Sequence, residues 1–154
     1  MFSGGAMDWT KRQHHFLPDG ALRDIYITPT TMADWQRVLT SLRQHPALLD
    51  YQLDGKPSPL PATARDIFAA TNSHAVTLAC HWGGQVYACH FFSPEQIEFD
   101  LDPGNVQSDH DLPGLRHFMT LLAQACDRTA LLTHENAPGQ VIARVLPTGQ
   151  ILWA

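Results

Sequence analysis

Hydrophobic and polar positions alternate along much of this chain, and the alternation predicts a sheet. Short segments rich in β-branched and aromatic residues are separated by turn sequences such as Pro18-Asp19-Gly20 and Asp54-Gly55. We expect strands over residues 23–28, 48–53, 75–82, 85–92, 96–102, 130–133, 141–146 and 150–153. An extended loop is expected over residues 57–61 and a turn over residues 135–139, where prolines remove backbone donors.

Two segments change to helical spacing. Between residues 35 and 42 the apolar side chains recur at i, i+3, i+4 and i+7, and Thr31 with Asp34 predicts a capping box before them. A second apolar stripe from Leu115 to Cys126 predicts another long helix. We also expect a short helix over residues 63–70.

The best-defined element is a hairpin around Gly83-Gly84. Two glycines supply the positive φ angles that a two-residue type I′ turn requires. With Trp82 opposite Gln85, the register sends Cys80 and Cys89 to one almost wholly apolar face. The histidine that follows each cysteine then points to the opposite, mixed face, because neighbouring strand residues alternate.

Together these elements predict an α+β protein. We expect one domain over residues 14–154, with a largely antiparallel sheet of about six to eight strands and two long helices and one short helix packed mainly on one face. Residues 1–13 are expected to be a flexible N-terminus, part of which need not be native. The three cysteines show no CxxC spacing, which favours buried reduced thiols.

Charge is distributed unevenly along the chain. The net charge is -5, and no Lys or Arg lies between Arg65 and Arg116. That half contains the acidic residues Asp66, Glu95, Glu98, Asp100, Asp102, Asp109 and Asp111. Such a surface repels phosphate backbones and anionic membranes and attracts a basic partner. With no apolar run long enough to cross a bilayer, we expect a cytoplasmic protein that binds neither nucleic acid nor membrane.

Chemistry-bearing residues give one candidate site. His90 is expected on the mixed hairpin face, and Glu98 and Asp100 on one side of the next strand, where they could converge on a divalent ion. A small metal-dependent hydrolase using these three residues is therefore an alternative function. The chain has no GxGxxG, GxxxxGK[ST] or GxSxG pattern, and we expect no cofactor.

Three stretches resemble a group of small uncharacterised bacterial proteins. They are Phe16 to Tyr26, Cys89-His90-Phe91-Phe92 leading into Ile97-Glu98-Phe99-Asp100, and Leu132 to Asn136. Some relatives of that group resemble immunity proteins of polymorphic toxin systems. The resemblance implies a non-enzymatic inhibitor that covers a toxin's active site or a nearby surface, with a basic toxin as its partner. Under this reading the predicted contact residues are Glu98, Asp100, Asp102, Asp109 and Asp111.

A third interpretation is a homodimerising structural module. Ile151-Leu152-Trp153 predicts an apolar strand at the extreme C-terminus, and an edge strand of this kind can pair with a second copy.

Overall fold

A computed structural model describes residues 9–154 of the chain. Its helices are α1 (Trp9–Arg12), α2 (Met32–Arg43), α3 (Ala64–Ala70) and α4 (Leu112–Cys126). Its strands are β1 (Arg23–Ile27), β2 (Leu49–Leu53), β3 (Lys56–Pro57), β4 (Val76–Trp82), β5 (Gln85–Ser93), β6 (Gln96–Leu101), β7 (Ala130–His134), β8 (Ala137–Val145) and β9 (Ile151–Trp153). The α+β class predicted from the sequence is confirmed.

All described strands join one antiparallel sheet in the order β3-β2-β4-β5-β6-β1-β7-β8-β9. The first strand of the chain lies near the middle, where Ile25 pairs with Phe99 of β6 on one side and with Leu132 of β7 on the other. Every residue of β1 is buried. Pairings between segments so far apart in sequence place residues from both halves of the chain side by side.

Helices α2, α3 and α4 cover one face of this sheet, as predicted. The Phe118 ring of α4 stacks on Tyr87 with 3.9 Å between ring centroids and meets Phe99 edge-on at 5.3 Å. Trp35 of α2 packs against Phe91 and donates a hydrogen bond to the Ser93 carbonyl. The predicted capping box at the start of α2 is present. The Thr31 hydroxyl accepts a hydrogen bond from the backbone N–H of Asp34, and the Asp34 carboxylate accepts one from the backbone N–H of Thr31.

The β4–β5 hairpin has the predicted register, with Trp82 opposite Gln85 and Leu78 opposite Cys89. Gly83 and Gly84 have φ of 56° and 85°, which is the pair of left-handed conformations that a type I′ turn needs. The turn also meets the first turn of α4. A Cβ at Gly83 would lie 2.9 Å from the Cα of Gly114, so this contact requires glycine as well.

Two local predictions were less accurate. The sheet has nine strands because Lys56–Pro57, which extends into the expected loop, forms a short edge strand that pairs with β2. An edge strand tolerates proline, because the side that lacks an N–H donor has no neighbouring strand to bond. The predicted turn over residues 135–139 is shorter, since His134 already pairs with Ala137. Asn136 adopts a positive φ of 54°, which closes the turn within two residues.

The described part of the N-terminus is helical. Residues 9–13, which were expected to be flexible, lie in α1 and the 3₁₀ turn that follows it, and the Trp9 ring lies 6.0 Å from the ring of Phe16. The rest of the predicted flexible segment, residues 1–8, lies outside the described residues. None of the helices in the range 9–154 is long and apolar enough to span a bilayer.

Candidate partner-binding face

The sheet face opposite α2, α3 and α4, called here the open face, carries a polar cluster at its centre. Strand alternation and register assemble it: Asp24 lies opposite Asp100, while Glu98 lies opposite Tyr26 on one side and His90 on the other. Three adjacent strands, β5, β6 and β1, therefore contribute to one patch. Glu98, Asp100 and His90, singled out from the sequence, do lie together.

A short hydrogen bond joins His90 and Asp100. The distance from His90 Nε2 to Asp100 Oδ2 is 2.5 Å, and the two side chains are 31% and 16% exposed. This hydrogen bond raises the pKa of His90 above its ordinary value, although partial burial opposes the shift. When His90 is protonated and Asp100 is ionised, the two groups form an ion pair on a partly exposed surface.

Asp24 and Tyr26 form the enclosed side of the cluster. Asp24 is only 3% exposed, and its Oδ2 accepts from the Tyr26 hydroxyl at 2.9 Å and from the Asn136 backbone N–H at 2.8 Å. Burial, and then the hydrogen bond to Asp24, raises the pKa of Tyr26, so the phenol remains a donor. The β7–β8 turn thereby holds this side of the open face in place.

Glu98 is the half-buried carboxylate between these pairs. Its Oε1 accepts from the Gln96 amide at 3.2 Å. Burial raises the pKa of Glu98, and the nearby Asp24 raises it further. Within residues 9–154 no Lys or Arg forms an ion pair with it. The neighbouring His90 and the hydrogen bond from Gln96 oppose this rise in pKa.

An aromatic surface adjoins the carboxylates. Phe92 follows His90 on the same face of β5, and their rings are nearly parallel, 7° apart, with centroids at 5.2 Å. The register of β5 against β6 shifts between His90 and Ser93, so a bulge lies at this point. Phe92 lies near the end of β5 and is 75% exposed.

The other three predicted contact residues are engaged in hydrogen bonds within the chain. Asp102 follows β6 and caps a 3₁₀ turn by accepting from the Gly104 N–H at 2.8 Å. Asp109 accepts from the Trp9 N–H at 2.7 Å, and Asp111 accepts from the Gln107 N–H at 2.8 Å. The carboxylates of these three residues therefore bond the backbone of their own chain.

The thiols lie on the covered face, as the hairpin register predicted. Cys80 and Cys89 are 0% and 4% exposed. Burial raises the pKa of Cys80 to about 12 and that of Cys89 well above its ordinary value. Cys126 is buried as well, and burial raises its pKa to about 11. Thiols of this kind stay protonated and inert, which leaves no accessible cysteine nucleophile among them.

The arrangement does not favour the metal alternative. His90, Glu98 and Asp100 share the open face, but within the described range no three His, Cys, Asp or Glu side chains are placed to hold one ion. Asp100 is directed to the imidazole and Glu98 to Gln96. The cluster is organised by hydrogen bonds between its own members.

Comparison with known proteins adds no relative. No family model, no curated protein and no solved structure matches this chain. The functional argument therefore depends on the geometry of the chain itself.

A groove lies on the helical side of the molecule. It has a volume of about 430 Å³, runs between α2 and α4 and includes His45 and His117 in its lining. Both imidazoles pack edge-on against Trp82, with ring centroids at 4.8 Å and 5.9 Å. Their contacts with a core aromatic give them a structural role, and the open face remains the stronger candidate.

Sequence reasoning missed Asp24, Tyr26 and Phe92 as members of the patch. The segment Arg23–Ile27 was recognised as a strand, and its polar Asp24 and Tyr26 alternate with isoleucines. That alternation was the available signal for a second polar face. Their neighbours on β6 are more than seventy residues away, so nothing local indicated which carboxylates they would join.

Proposed function

We propose that this chain is a non-enzymatic, cytoplasmic binding protein of the immunity type, whose open face covers a basic protein toxin. The observation that carries the proposal is the central patch. It combines the partly exposed carboxylates of Glu98 and Asp100 with an exposed Phe92, and no Lys or Arg occurs anywhere from residue 66 to 115. Acidic groups around an aromatic anchor suit recognition of a positively charged surface.

The chemistry of the patch supports binding over catalysis. Its most buried members, Asp24 and Tyr26, bond each other, and the imidazole of His90 bonds Asp100. The cysteines lie on the other face with raised pKa values. A nucleophile beside a free base, the usual requirement for acyl transfer, is not found among these groups.

Calorimetric titration with the purified toxin encoded by the adjacent gene tests the proposal. We expect a one-to-one complex with affinity tighter than micromolar, and an association rate that falls steeply as salt is added. Neutralising the patch with Glu98→Gln and Asp100→Asn should slow association about three- to tenfold. Absence of any heat of binding at micromolar concentrations would defeat the proposal.

A matched control separates the patch from overall charge. Asp66→Asn removes one negative charge from α3, on the helical side of the molecule. It should leave the association rate within about twofold of wild type, since a charge on the opposite side of the sheet contributes little to steering toward the open face. Equal effects of Asp66→Asn and Glu98→Gln would mean that net charge, not the open face, governs binding.

The homodimer remains a separate prediction. β9 is an edge strand of the described sheet, and its Leu152 is 43% exposed. Sedimentation of the isolated protein checks this alternative, which a monomer at all concentrations would contradict.

A further inference from the structure

Among residues 9–154, Glu98 forms no ion pair with a Lys or Arg. It lies between His90 and Tyr26 in the register of β5, β6 and β1, and Asp24 is near enough to raise its pKa. The one histidine beside it already bonds Asp100. A half-buried carboxylate in this setting is stabilised by a cation that approaches from the open face.

Phe92 provides a flat apolar surface next to that carboxylate. It is two residues beyond His90 on β5, and His90 lies directly opposite Glu98 on β6. The inner side of the ring stacks on His90, and with 75% of the residue exposed the ring has an accessible face. The β-bulge between His90 and Ser93 shifts the local register at this point.

We propose that Glu98 and Phe92 form a subsite for one arginine side chain of the protein partner. The inference rests on the proposed function and names the group that the open face recognises. The guanidinium plane lies over the Phe92 ring while its N–H groups donate to the Glu98 carboxylate. The subsite is thus the centre of the complex, and the surrounding acidic residues steer the approach.

Arginine fits these two neighbours better than lysine does. Guanidinium is planar, stacks on aromatic faces and donates two parallel hydrogen bonds to one carboxylate. Lysine carries a compact, strongly hydrated charge that cannot use the ring and the carboxylate together in the same way. The exposed Phe92 therefore gives the site a preference for arginine over lysine that charge alone would not produce.

Fluorescence anisotropy with an arginine nonapeptide and a lysine nonapeptide tests the inference, because the two probes carry the same charge. At low ionic strength we expect the arginine peptide to bind wild-type protein about two- to fivefold more tightly than the lysine peptide. Phe92→Leu keeps an apolar side chain and removes the π face, so it should abolish the preference for arginine and leave lysine-peptide binding unchanged. Glu98→Gln should weaken both peptides up to about fivefold.

Leu17→Ala is the matched control, since Leu17 is 58% exposed and follows the N-terminal 3₁₀ turn, outside the sheet. It should preserve the arginine preference. Equal affinity of both peptides for wild-type protein would overturn the arginine subsite while the basic-partner proposal stands. Failure of both peptides to bind would count against the basic partner itself. A preference that survives Phe92→Leu would place the arginine elsewhere and refute the assignment.

Discussion

The two glycines of the β4–β5 turn allow a quantitative prediction, because a Cβ at Gly83 would meet neighbouring backbone and a Cβ at Gly84 would not. Both have positive φ, so alanine at either position costs about 1–2 kcal/mol for the left-handed conformation. A Cβ at Gly84 meets nothing within 4 Å, whereas a Cβ at Gly83 would lie 2.9 Å from the backbone of Gly114. Backbone cannot move aside as a side chain can, so the crowding adds about 1–3 kcal/mol.

We therefore expect Gly83→Ala to lower the free energy of unfolding by about 2–5 kcal/mol and Gly84→Ala by about 1–2 kcal/mol. Urea unfolding monitored by tryptophan fluorescence measures both, with slopes compared to check that two-state behaviour persists. Gly55→Ala is the control, since Gly55 has a φ of 78° and open space around it. Equal losses for Gly83→Ala and Gly84→Ala would refute the close approach of the hairpin to α4.

Three further results are expected. In the native protein, Cys80 and Cys89 should resist alkylation at pH 8 and should react once urea unfolds the chain. Mass spectrometry measures the labelling, and rapid labelling of the native protein would contradict their burial. Asp100→Asn should lower the pKa of His90, measured by NMR titration of the imidazole, because the hydrogen bond to Asp100 is the main cause of its elevation. Glu98→Gln should raise the free energy of unfolding by about 0.5 kcal/mol at pH 7, as measured by urea unfolding, because burial and Asp24 disfavour the ionised carboxylate. The difference from wild type should disappear near pH 4, and a variant less stable than wild type at pH 7 would contradict the prediction.

Local sequence signals predicted most of the fold. Gly83-Gly84 fixes the hairpin register within a few residues, and the register in turn directs Cys80 and Cys89 inward. The capping residues Thr31 and Asp34 placed the start of α2 for the same reason, since their hydrogen bonds span three residues. Turn and capping signals that span only a few residues can be recognised in the sequence without knowing how distant segments pair.

The candidate site depended on pairings that no local signal encodes. β1 inserts between β6 and β7, and only this arrangement brings Asp24 and Tyr26 beside Glu98. The acidic residues beyond β6 looked equivalent in sequence, but the Asp109 carboxylate accepts a hydrogen bond from the backbone of Trp9, one hundred residues away. Charge along the chain therefore could not indicate which carboxylates are available.

Under the proposed function, Glu98 would serve recognition at a cost to folding. Because burial and Asp24 raise its pKa, the folded chain favours the protonated carboxyl. The stability associated with that preference is present at low pH and is lost as the pH rises through the raised value. At neutral pH an uncharged glutamine at position 98 would therefore stabilise the fold more than glutamate does. Asp24 differs, because its carboxylate accepts hydrogen bonds from Tyr26 and from Asn136 and so stabilises the fold directly. A carboxylate that the fold does not need, beside a phenylalanine that the core does not cover, is what a surface that binds a cation requires.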